Sequence, residues 1–485
     1  MKLRTLLLSV IFMLMGITVL SQEVDRNLAE NISKNFLEYQ GKNYQTNAPI
    51  AFESNTLQLA WITELSPNGF ILISASKKLR PVLAYSFESG WNNQGEEGNI
   101  FQTLIKSDIE CRLTNTQSNG KELQVIHNEW KALSMACKSK NRYEQWPPEG
   151  TTPTGGWLFT NWTQGSPYNK MCPIDGSTHQ RSLAGCPATA MSMILNCLME
   201  INETKLMDSD DYYHNYGSGN QYWIDDDWSN FGFPCFDSLN LYLDSVQENY
   251  AGHKPLITPQ ISALTFACGV ALKQVYTSSI SGTFGIEQAA DAFQRFGFAD
   301  SRLVYDSDTA LATNLAQNIK TGWPAQLGLL SPPPNQVGHN VVVDGYNTDD
   351  YFHFNFGWGG NSNGWYTMPP TTIPYNLTVI EGIVLDIKGD NPHVGIFEIN
   401  SKNVLPLRLS WNATNQTIIM KSNFPNEADA EISIFNINGS LIEQATVRLN
   451  QGENIQYQPN LNNHGLYILT VVINNSAWES IKFIF

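Results

Sequence analysis

Residues 184–191 read AGCPATAM, and this stretch says more about the fold than any other in the chain. Gly185 provides a turn, and the apolar residues after it, with few breaks through Met199, predict a helix that begins at Cys186. Pro187 suits a first helical turn, where backbone N–H groups have no intrahelical partner. Because those N–H groups and the helix dipole favour the charged form of a thiol, the pattern predicts a reactive thiolate at Cys186.

A second stretch, GHNVVVDGY at residues 338–346, predicts a strand that begins near His339. The aromatic run at residues 351–356, YFHFNF, predicts its partner in a hairpin. An antiparallel fold about Asn347 would set His339 opposite Asn355 on one face. The pattern therefore predicts a base and the amide that orients it.

Each residue taken alone has a simpler interpretation. A single cysteine before an apolar helix is more often a small buried residue, and a single histidine in a strand is usually structural. The combination favours catalysis, because nucleophile, base and amide each fall where a thiol hydrolase needs a helix start, a strand and its partner strand.

The same residues resemble the streptopain-type cysteine peptidases, which are bacterial secreted zymogens with a papain-like core. The resemblance extends over roughly residues 68–389 and rests on ordered motifs: WTQ at 162–164, PYN at 167–169, CP at 172–173, GC at 185–186, ATA at 188–190, GH at 338–339, VDG at 343–345, Asn355, and GWGG at 357–360. It implies Cys186 as nucleophile, His339 as general base, Asn355 as the residue that orients the imidazole, and Gln164 as an oxyanion-hole donor. It also implies that Trp358 shields the hydrogen bond between His339 and Asn355 from water, that Gly185 supports the site, and that Gly338 binds substrate.

Two positions depart from the family pattern. Phe356 stands where tryptophan is usual, and Pro187 stands where a small or β-branched residue is usual. Neither change removes a catalytic group. The loss of an indole N–H at residue 356 puts substrate preference in doubt.

Composition excludes several functions. The 485-residue chain is 42% hydrophobic and 15% charged, which is typical of globular domains. A net charge of -16 without a basic cluster argues against nucleic acid or an anionic membrane as a partner. Seven cysteines are few for an exported protein of this length and form no C-x-x-C metal signature. We expect no cofactor and no metal, and Cys197 is expected in the core.

The first residues predict export. A positive start is followed by an apolar stretch from Leu6 to Leu20 and by compact residues before Gln22, which is the pattern of a cleaved secretory signal peptide. No later stretch is long and apolar enough for a membrane-spanning segment. We therefore expect a protein that is secreted or held at the cell surface.

Residues 22–142 read as a separate α+β unit with strands near 68–75 and 80–86. The unit is similar to the propeptide of the same peptidase family, which implies an intramolecular inhibitor; a small domain without an inhibitory role is the alternative. The proline- and glycine-rich residues 143–156 predict an exposed, cleavable linker. We expect the maturation cut between Ala136 and Gly156.

Residues 264–298 predict a helix ending near Val275, a loop rich in serine and glycine, and a second helix from Glu287 to Phe296. In the family a loop at this place forms a wall of the substrate cleft, which implies substrate-binding roles for the loop residues Ser279, Ser281 and Gly282. A flexible surface turn is the alternative. Acidic runs at 208–211 and 225–227 lack the EF-hand spacing and are interpreted as solvated loops.

Beyond about residue 405, short alternating strands predict a small β-sandwich. It resembles the C-terminal sorting domain of the type IX secretion system of Bacteroidota, on the motifs NFPN at 423–426, IFNING at 434–439, GLY at 465–467 and IKF at 481–483. This implies the secretion machinery as a partner. A carbohydrate-binding or adhesive sandwich is the alternative.

Together these patterns predict an α+β protein with a papain-like core, acting on proteins or peptides as a cysteine endopeptidase made as a zymogen. The expected order is signal peptide 1–21, inhibitory prodomain 22–142, cleavable linker 143–156, peptidase domain 157–390, linker 391–410 and sorting domain 411–485. A peptidoglycan amidase with the same cysteine–histidine geometry, or an inactive relative that serves as an adhesin, remains open.

Overall fold

The structure is a computed structural model. It describes residues 24–54, 57–114, 120–135, 143–334, 336–368, 379–389, 407–412, 415–422, 428–436, 441–450, 454–461, 466–473 and 476–484. The expected signal peptide, the basic stretch before Tyr143 and most of the expected linker at 391–410 lie outside these residues.

The described part of the chain falls into two compact units, and residues 24–87 and 109–135 belong to the first. Its helices and strands are α1 (Arg26–Tyr39), β1 (Gln45–Thr46), β2 (Ile50–Ser54), β3 (Leu57–Ser66), β4 (Phe70–Ser74), β5 (Val82–Ser86), the end of α2 (Gly95–Thr114) and α3 (Gly120–Ser134). The strands pair antiparallel in the order β1-β3-β4-β5, with β2 on β3. Strands β4 and β5 confirm the two that the sequence predicted.

Helix α1 is placed on this sheet by its apolar face and by one buried polar contact. Asp25 caps the helix by accepting a hydrogen bond from the N–H of Leu28 at 2.8 Å. Farther along, the hydroxyls of Ser33 on α1 and Thr63 on β3 lie 2.8 Å apart, and both residues are fully buried. A hydrogen bond between two buried hydroxyls gives each of them a partner without water.

Residues 88–108, with most of α2, belong to the second unit together with everything from Tyr143 onward. Up to residue 389 its further elements are β6 (Gln145–Trp146), α4 (Cys186–Leu198), a 3-10 turn (Asp208–Asp210), β7 (Tyr213–Asn215), β8 (Gln221–Trp223), α5 (Trp228–Phe231), α6 (Phe236–Ala251), α7 (Thr258–Ala271), α8 (Glu287–Arg295), β9 (Arg302–Val304), α9 (Leu311–Lys320), β10 (Ala325–Leu330), β11 (Gly338–Asn347), β12 (Tyr351–Asn355), β13 (Gly364–Thr367) and β14 (Ile380–Leu385).

The core of the second unit, up to residue 389, consists of helix α4 packed on an antiparallel sheet. The strands run in the order β13-β12-β11-β10-β14-β9, and α4 packs against β11 and β10 on one side and α7 on the other. Every residue of α4 is buried except Cys186 and Asn196, which are half-buried. Cys197 lies in the core as expected. A buried helix that begins at the cysteine, beside the strand that begins at the histidine, confirms the α+β class and the papain-like core.

The β11–β12 hairpin forms as predicted, but the predicted register is wrong. Asn347 pairs with Tyr351, so the turn is centred near Asp349 and not at Asn347, and Val342 is the partner of Asn355. His339 therefore does not face Asn355 across the hairpin. The sequence pattern indicates which residues form the two strands, but their register depends on where the turn is centred, and moving that centre changes every pairing.

Residues 143–156 are not the exposed linker that the sequence predicted. Gln145 and Trp146 form β6, which pairs with Asn347 and Tyr346 on the edge of β11 that extends beyond the end of β10. The ring of Trp146 stacks on that of Tyr346, and the amino group of Lys320 lies 4.7 Å from the centre of the Trp146 ring. Tertiary contacts have overridden the turn-forming composition of this stretch.

Farther along the same stretch, Gly156 and Trp157 pack on a buried carboxylate. The backbone N–H of Leu158 donates to the carboxylate of Asp344 at 2.9 Å, and the other oxygen of that carboxylate lies 2.6 Å from Nδ1 of His353. A Cβ on Gly156 would lie 2.2 Å from the carboxylate atoms of Asp344, so only glycine fits there. The stretch is thus an integral part of the second unit.

The C-terminal residues form the expected β-sandwich. Its strands are β15 (Leu407–Asn412), β16 (Thr417–Ser422), β17 (Ala428–Asn436), β18 (Leu441–Leu449), β19 (Asn454–Tyr457), β20 (Leu466–Ile473) and β21 (Ser476–Ile484). The two sheets have the orders β15-β16-β19 and β18-β17-β20-β21. Ile418 and Met420 from one sheet share a core with Ile432 and Leu469 from the other. Of the sorting motifs, the one at 423–426 lies outside the described residues.

No helix within the described ranges is both long enough and apolar enough to cross a bilayer. The same part of the chain contains no group of His, Cys, Asp and Glu side chains arranged to hold a metal ion. The acidic residues 208–211 and 225–227 lie in a 3-10 turn and in loops that are exposed or half-buried.

Candidate active site

Cys186 occupies the first turn of α4, as the sequence predicted, and Gly185 makes that position possible. Gly185 has a φ of +83°, in the left-handed region that favours glycine. A Cβ at this position would lie 2.8 Å from the side-chain oxygen of Gln274 and 3.1 Å from the carbonyl oxygen of Ser281. The turn into the nucleophile helix is therefore closed around a residue without a side chain.

The Cys186 sulfur lies against the start of the histidine strand. The backbone N–H of Asn340, the residue after His339, points at the sulfur at 3.4 Å. The side chain of Gln326 on β10 donates to Asn340 at 2.8 Å and lies 3.4 Å from the carbonyl oxygen of Pro187. Gln326, which sequence reasoning missed, thus ties the helix start to the strand.

His339 is almost fully buried, and its ring is held from two sides. Nε2 lies 2.8 Å from the backbone carbonyl oxygen of Phe356. The ring stacks on that of Trp358, with centroids 4.4 Å apart and planes at 25°. Because a carbonyl oxygen can only accept, Nε2 carries the hydrogen and Nδ1 is the basic nitrogen of the neutral ring. Trp358 therefore covers one face of the imidazole.

Asn355 does not contact the imidazole directly. Its side-chain oxygen accepts from the backbone N–H of Gly357 at 3.0 Å, and its amide donates to the side-chain oxygen of Asn161 at 3.1 Å. Asn363 donates to the same oxygen of Asn161 and accepts from the N–H of Phe356 at 3.0 Å. Asn363 thus holds the N–H of Phe356, Asn355 holds the N–H of Gly357, and Asn161 links the two asparagines. Asn161 and Asn363 were not identified from sequence, although each lies beside a quoted motif.

The other predicted site residues lie around the same helix start. The carbonyl oxygen of Gln164 accepts from the N–H of Ala184 at 2.8 Å, which holds Gln164 close to the turn at Gly185. Gly338 is exposed at the start of β11, next to His339. The predicted role of the Gln164 side chain as an oxyanion-hole donor stays a prediction.

The loop after α7 lies beside the turn at Gly185. Helix α7 ends at Ala271, four residues before the predicted end, because Lys273 takes a left-handed φ of +48° and Val275 pairs with Gly282. Ser281 is buried and bonds within its own loop, whereas Ser279 is exposed. Of the predicted binding residues, Ser279 alone presents an exposed side chain.

The ionisation of the pair differs from the sequence expectation. Burial raises the pKa of the Cys186 thiol to about 11, and the N–H groups of Asn340 and Cys186 itself oppose this only in part. Burial also lowers the pKa of His339 to about 4, against the hydrogen bond to Phe356. Both shifts favour the neutral thiol and the neutral imidazole over the thiolate that the sequence predicted, because burial acts on both groups more strongly than the N–H groups at the helix start.

Residues 162–366, which contain all of these groups, match the Peptidase C10 family. The chain carries a cysteine peptidase domain of the C10 family. Residues 21–107 match the Spi protease inhibitor family, and residues 391–485 match a secretion system C-terminal sorting domain. The expected family, enzyme class and prodomain are confirmed. The sorting domain implies export to the cell surface or beyond it.

Known proteins similar to this C10 peptidase include streptopain from Streptococcus pyogenes, which is 22% identical over 327 residues, or 64% of this chain and 73% of streptopain. The thiol protease/hemagglutinin PrtT of Porphyromonas gingivalis is 27% identical over 316 residues, or 61% of this chain and 32% of PrtT. Among solved structures, a prointerpain A fragment from Prevotella intermedia covers 72% of this chain and 100% of its own, with a TM-score of 0.49 and 20% identity.

Proposed function

We propose that this chain is a secreted cysteine endopeptidase made as a zymogen, with Cys186 as nucleophile and His339 as general base. The observation that carries the proposal is the contact between the Cys186 sulfur and the backbone N–H beside His339, at 3.4 Å, inside a C10 peptidase domain. Two buried elements, α4 and β11, hold these residues next to each other. Rigid support of this kind is what a nucleophile and its base require.

The hydrogen bond from Nε2 to Phe356 leaves Nδ1 of His339 to accept the thiol proton. The thiolate of Cys186 then attacks the scissile carbonyl carbon, and the new oxyanion is held by the backbone N–H of Cys186 and the side chain of Gln164. Nδ1 returns the proton to the leaving nitrogen as the C–N bond breaks. A water molecule then loses a proton to Nδ1 and attacks the thioester carbonyl carbon. The C–S bond breaks, the carboxylic acid product leaves, and Nδ1 returns its proton to the sulfur of Cys186.

We assign Asn355 an indirect role in this chemistry. The C=O of Phe356 and the N–H of Gly357 belong to one peptide unit, so the amide of Asn355 on one side and the imidazole of His339 on the other are bonded to the same rigid plane. Asn355 would thus orient the ring through that peptide. Trp358 would shield the ring from water, and Gly338 would leave room for substrate.

The segment 88–108 supports latency of the uncut chain. Phe101 on α2 is fully buried, and its ring packs edge-on against Phe356 at 5.3 Å and against Trp358 at 6.3 Å. Ser89 donates to the carbonyl oxygen of Gly360 at 2.7 Å. These contacts fix the aromatic residues that stack on His339. We infer that the prodomain at 22–142 inhibits its own peptidase, and that its removal lets the Cys186–His339 pair form.

The proposed substrate-binding residues are Ser279, Ser281, Gly282 and Gly338. The first three would form a wall of the cleft, with only Ser279 offering an exposed hydroxyl. Because Gly282 uses its N–H and C=O on Val275, at 3.0 and 2.8 Å, the wall would shape the cleft more than it would bond the substrate backbone.

The two ends of the chain would direct export. A signal peptide at 1–21 would carry the zymogen across the inner membrane, and the sandwich at 411–485 would pass it to the type IX machinery for transfer across the outer membrane. The match of residues 391–485 to a secretion-system sorting domain supports this route. The maturation cut would fall before Glu144, since β6 is already part of the peptidase unit.

The decisive experiment replaces Cys186 by alanine in the full chain and measures hydrolysis of denatured casein after proteolytic activation. Loss of activity by several orders of magnitude is expected for removal of a covalent nucleophile. Cys235→Ala is the matched control, since Cys235 is a half-buried thiol at the start of another helix. Retained activity in the Cys186 variant would overturn the assignment.

A further inference from the structure

Asp175 is a buried carboxylate that the proposed catalytic chemistry does not use. Only 4% of the residue is exposed. A carboxylate is rarely buried unless charged groups or several hydrogen-bond donors compensate for its lost hydration. The donors around Asp175 are therefore informative about its role.

Five hydrogen bonds converge on this carboxylate from three separate segments. One oxygen accepts from the backbone N–H groups of Ser177 at 2.9 Å and Thr178 at 3.4 Å and from the side chain of Asn220 at 3.2 Å. The other oxygen accepts from the backbone N–H of Ser278 at 2.8 Å and from its hydroxyl at 3.0 Å. These bonds lower the pKa of Asp175 to about 2, so the group stays ionised in acid.

Ser278 opens the loop that runs past the nucleophile. The next residues, Ser279 to Gly282, bring the carbonyl oxygen of Ser281 to 3.1 Å from the place where a Cβ on Gly185 would be. The N–H of Leu183 also bonds to the carbonyl oxygen of Thr277 at 3.0 Å. The loop is therefore fixed at one end by Asp175 and lies along the segment that leads into Cys186.

A neutral histidine holds the base of the same loop from the other side. Nδ1 of His214 donates to the carbonyl oxygen of Asn220 at 2.8 Å, and its Nε2 accepts from the N–H of Tyr276 at 2.7 Å. Asn220 in turn bonds to Asp175. A continuous polar chain therefore runs from Asp175 through Asn220 and His214 to Tyr276, two residues before the loop.

We propose that Asp175 is a positioning residue that sets the wall of the substrate cleft formed by residues 278–282. The proposal rests on the assignment of Cys186 as nucleophile in the proposed function. Asp175 does not touch the reacting atoms. It holds Ser278, and through Ser278 it determines how far Ser279 and Ser281 stand from the cleft beside Gly185.

The test is Asp175→Asn in the full chain after proteolytic activation, with Asp226→Asn as the matched control. Asp226 is an exposed acidic residue, so this control makes the same chemical change without touching the loop. An asparagine offers only one acceptor atom and leaves buried donors unsatisfied. Two quantities are measured: KM and kcat for a short peptide substrate, and the rate of alkylation of Cys186 by iodoacetamide, which needs no cleft wall.

We expect KM to rise by about tenfold in Asp175→Asn, since uniform substrate binding is lost, while kcat and the alkylation rate stay within about twofold of the unchanged protein. The control should change neither quantity. An unchanged KM, or a fall of kcat and alkylation rate in parallel with KM, would overturn the positioning role, because the second result would mark a general disturbance of the site.

If Asp175→Asn does not fold, Ser278→Ala decides the matter by the same criteria. That variant removes the hydroxyl bond to Asp175 and the one accepted from the Thr178 hydroxyl, and keeps the backbone N–H bond to Asp175, so a smaller rise of KM is expected. Failure of the proposed function is seen separately, as activity that survives alkylation of Cys186 in the unchanged protein.

Discussion

Nε2 of His339 bonds to the backbone carbonyl oxygen of Phe356 at 2.8 Å, and this bond takes the place of the side-chain amide expected from the sequence. The same peptide is bonded on its other edge by Asn355 at 3.0 Å. Orientation of the ring thus depends on a backbone group that no side-chain substitution removes. Mutations near the histidine can therefore only loosen this support.

Asn355→Ala should reduce kcat by about tenfold, since the ring keeps its direct partner and loses only the support behind it. His339→Ala should reduce kcat by about a thousandfold or more, because a general base is removed. Asn215→Ala, at an exposed strand residue, is the control and should have no effect. Equal losses in the Asn355 and His339 variants would contradict the indirect role.

The rate of alkylation of Cys186 should report whether the Cys186–His339 pair is neutral or ionised. With a pKa raised to about 11, the thiol of the uncut chain should react slowly with iodoacetamide at neutral pH, and its rate should rise as pH approaches that value. After proteolytic activation, labelling at pH 7 should become fast. Peptide mass mapping identifies the labelled cysteine. Equally fast labelling of the uncut chain at pH 7 would show that the prodomain does not keep the Cys186–His339 pair neutral.

Phe101→Ala should make the uncut chain partly active. Loss of a fully buried ring from the cluster with Phe356 and Trp358 opens a cavity and loosens the residues that stack on His339. Ile105→Ala, on the same helix but half-buried, is the control. The measurement is casein hydrolysis together with a gel that proves the chain intact. A Phe101 variant as silent as the unchanged zymogen would exclude this contact as a cause of latency.

Acid should destabilise the chain in part through His339. The unfolded histidine binds a proton near pH 6.5, whereas burial lowers the pKa of the folded residue to about 4. The stability that depends on the neutral ring is therefore complete above pH 6.5 and is lost as pH falls from 6.5 toward 4. His339→Gln should show a smaller drop in Tm between pH 7 and pH 4.5 than the unchanged protein. Identical drops would mean that other groups dominate.

Deletion from about Trp411 onward should leave the activity of the activated peptidase unchanged, because the sandwich has its own core in two sheets. In the native host the shortened protein should accumulate in the periplasm, as judged by fractionation and immunoblotting. Normal appearance of the truncated protein outside the cell would refute the sorting role and favour an adhesive or carbohydrate-binding sandwich.

Local sequence predicted much of this molecule, because apolar periodicity and turn residues act over short distances. The start of α4 at Cys186, the strands of the hairpin and the alternating strands of the sandwich are all of this kind. The register of the hairpin was missed because its turn is centred near Asp349 and not at Asn347, and the turn-forming residues 347–350 do not indicate which of them is the centre. The protonation of Cys186 was missed because burial by distant segments outweighs the local helix terminus.

Asp175 was missed for a related reason. Its partners Asn220 and Ser278 are 45 and 103 residues away in the chain, so nothing in its neighbourhood marks it as a junction. Residues 143–156 were wrongly predicted to be exposed, because proline and glycine indicate turns but do not indicate whether those turns pack against the rest of the fold. Such features depend on tertiary contacts that a single sequence does not display.

The short strand β6 holds the amino-terminal end of the proposed mature enzyme on the sheet. Gln145 and Trp146 pair with Asn347 and Tyr346, at the part of β11 that extends beyond β10. Strand β11 also carries His339. A cut before Glu144 would leave β6 in place. The new amino terminus would then stay hydrogen-bonded to β11. A cut after Trp146 would instead bare a strand edge and the face of Tyr346, inviting other chains to pair there. Where the protease is trimmed would thus decide whether it stays single in solution or begins to self-associate.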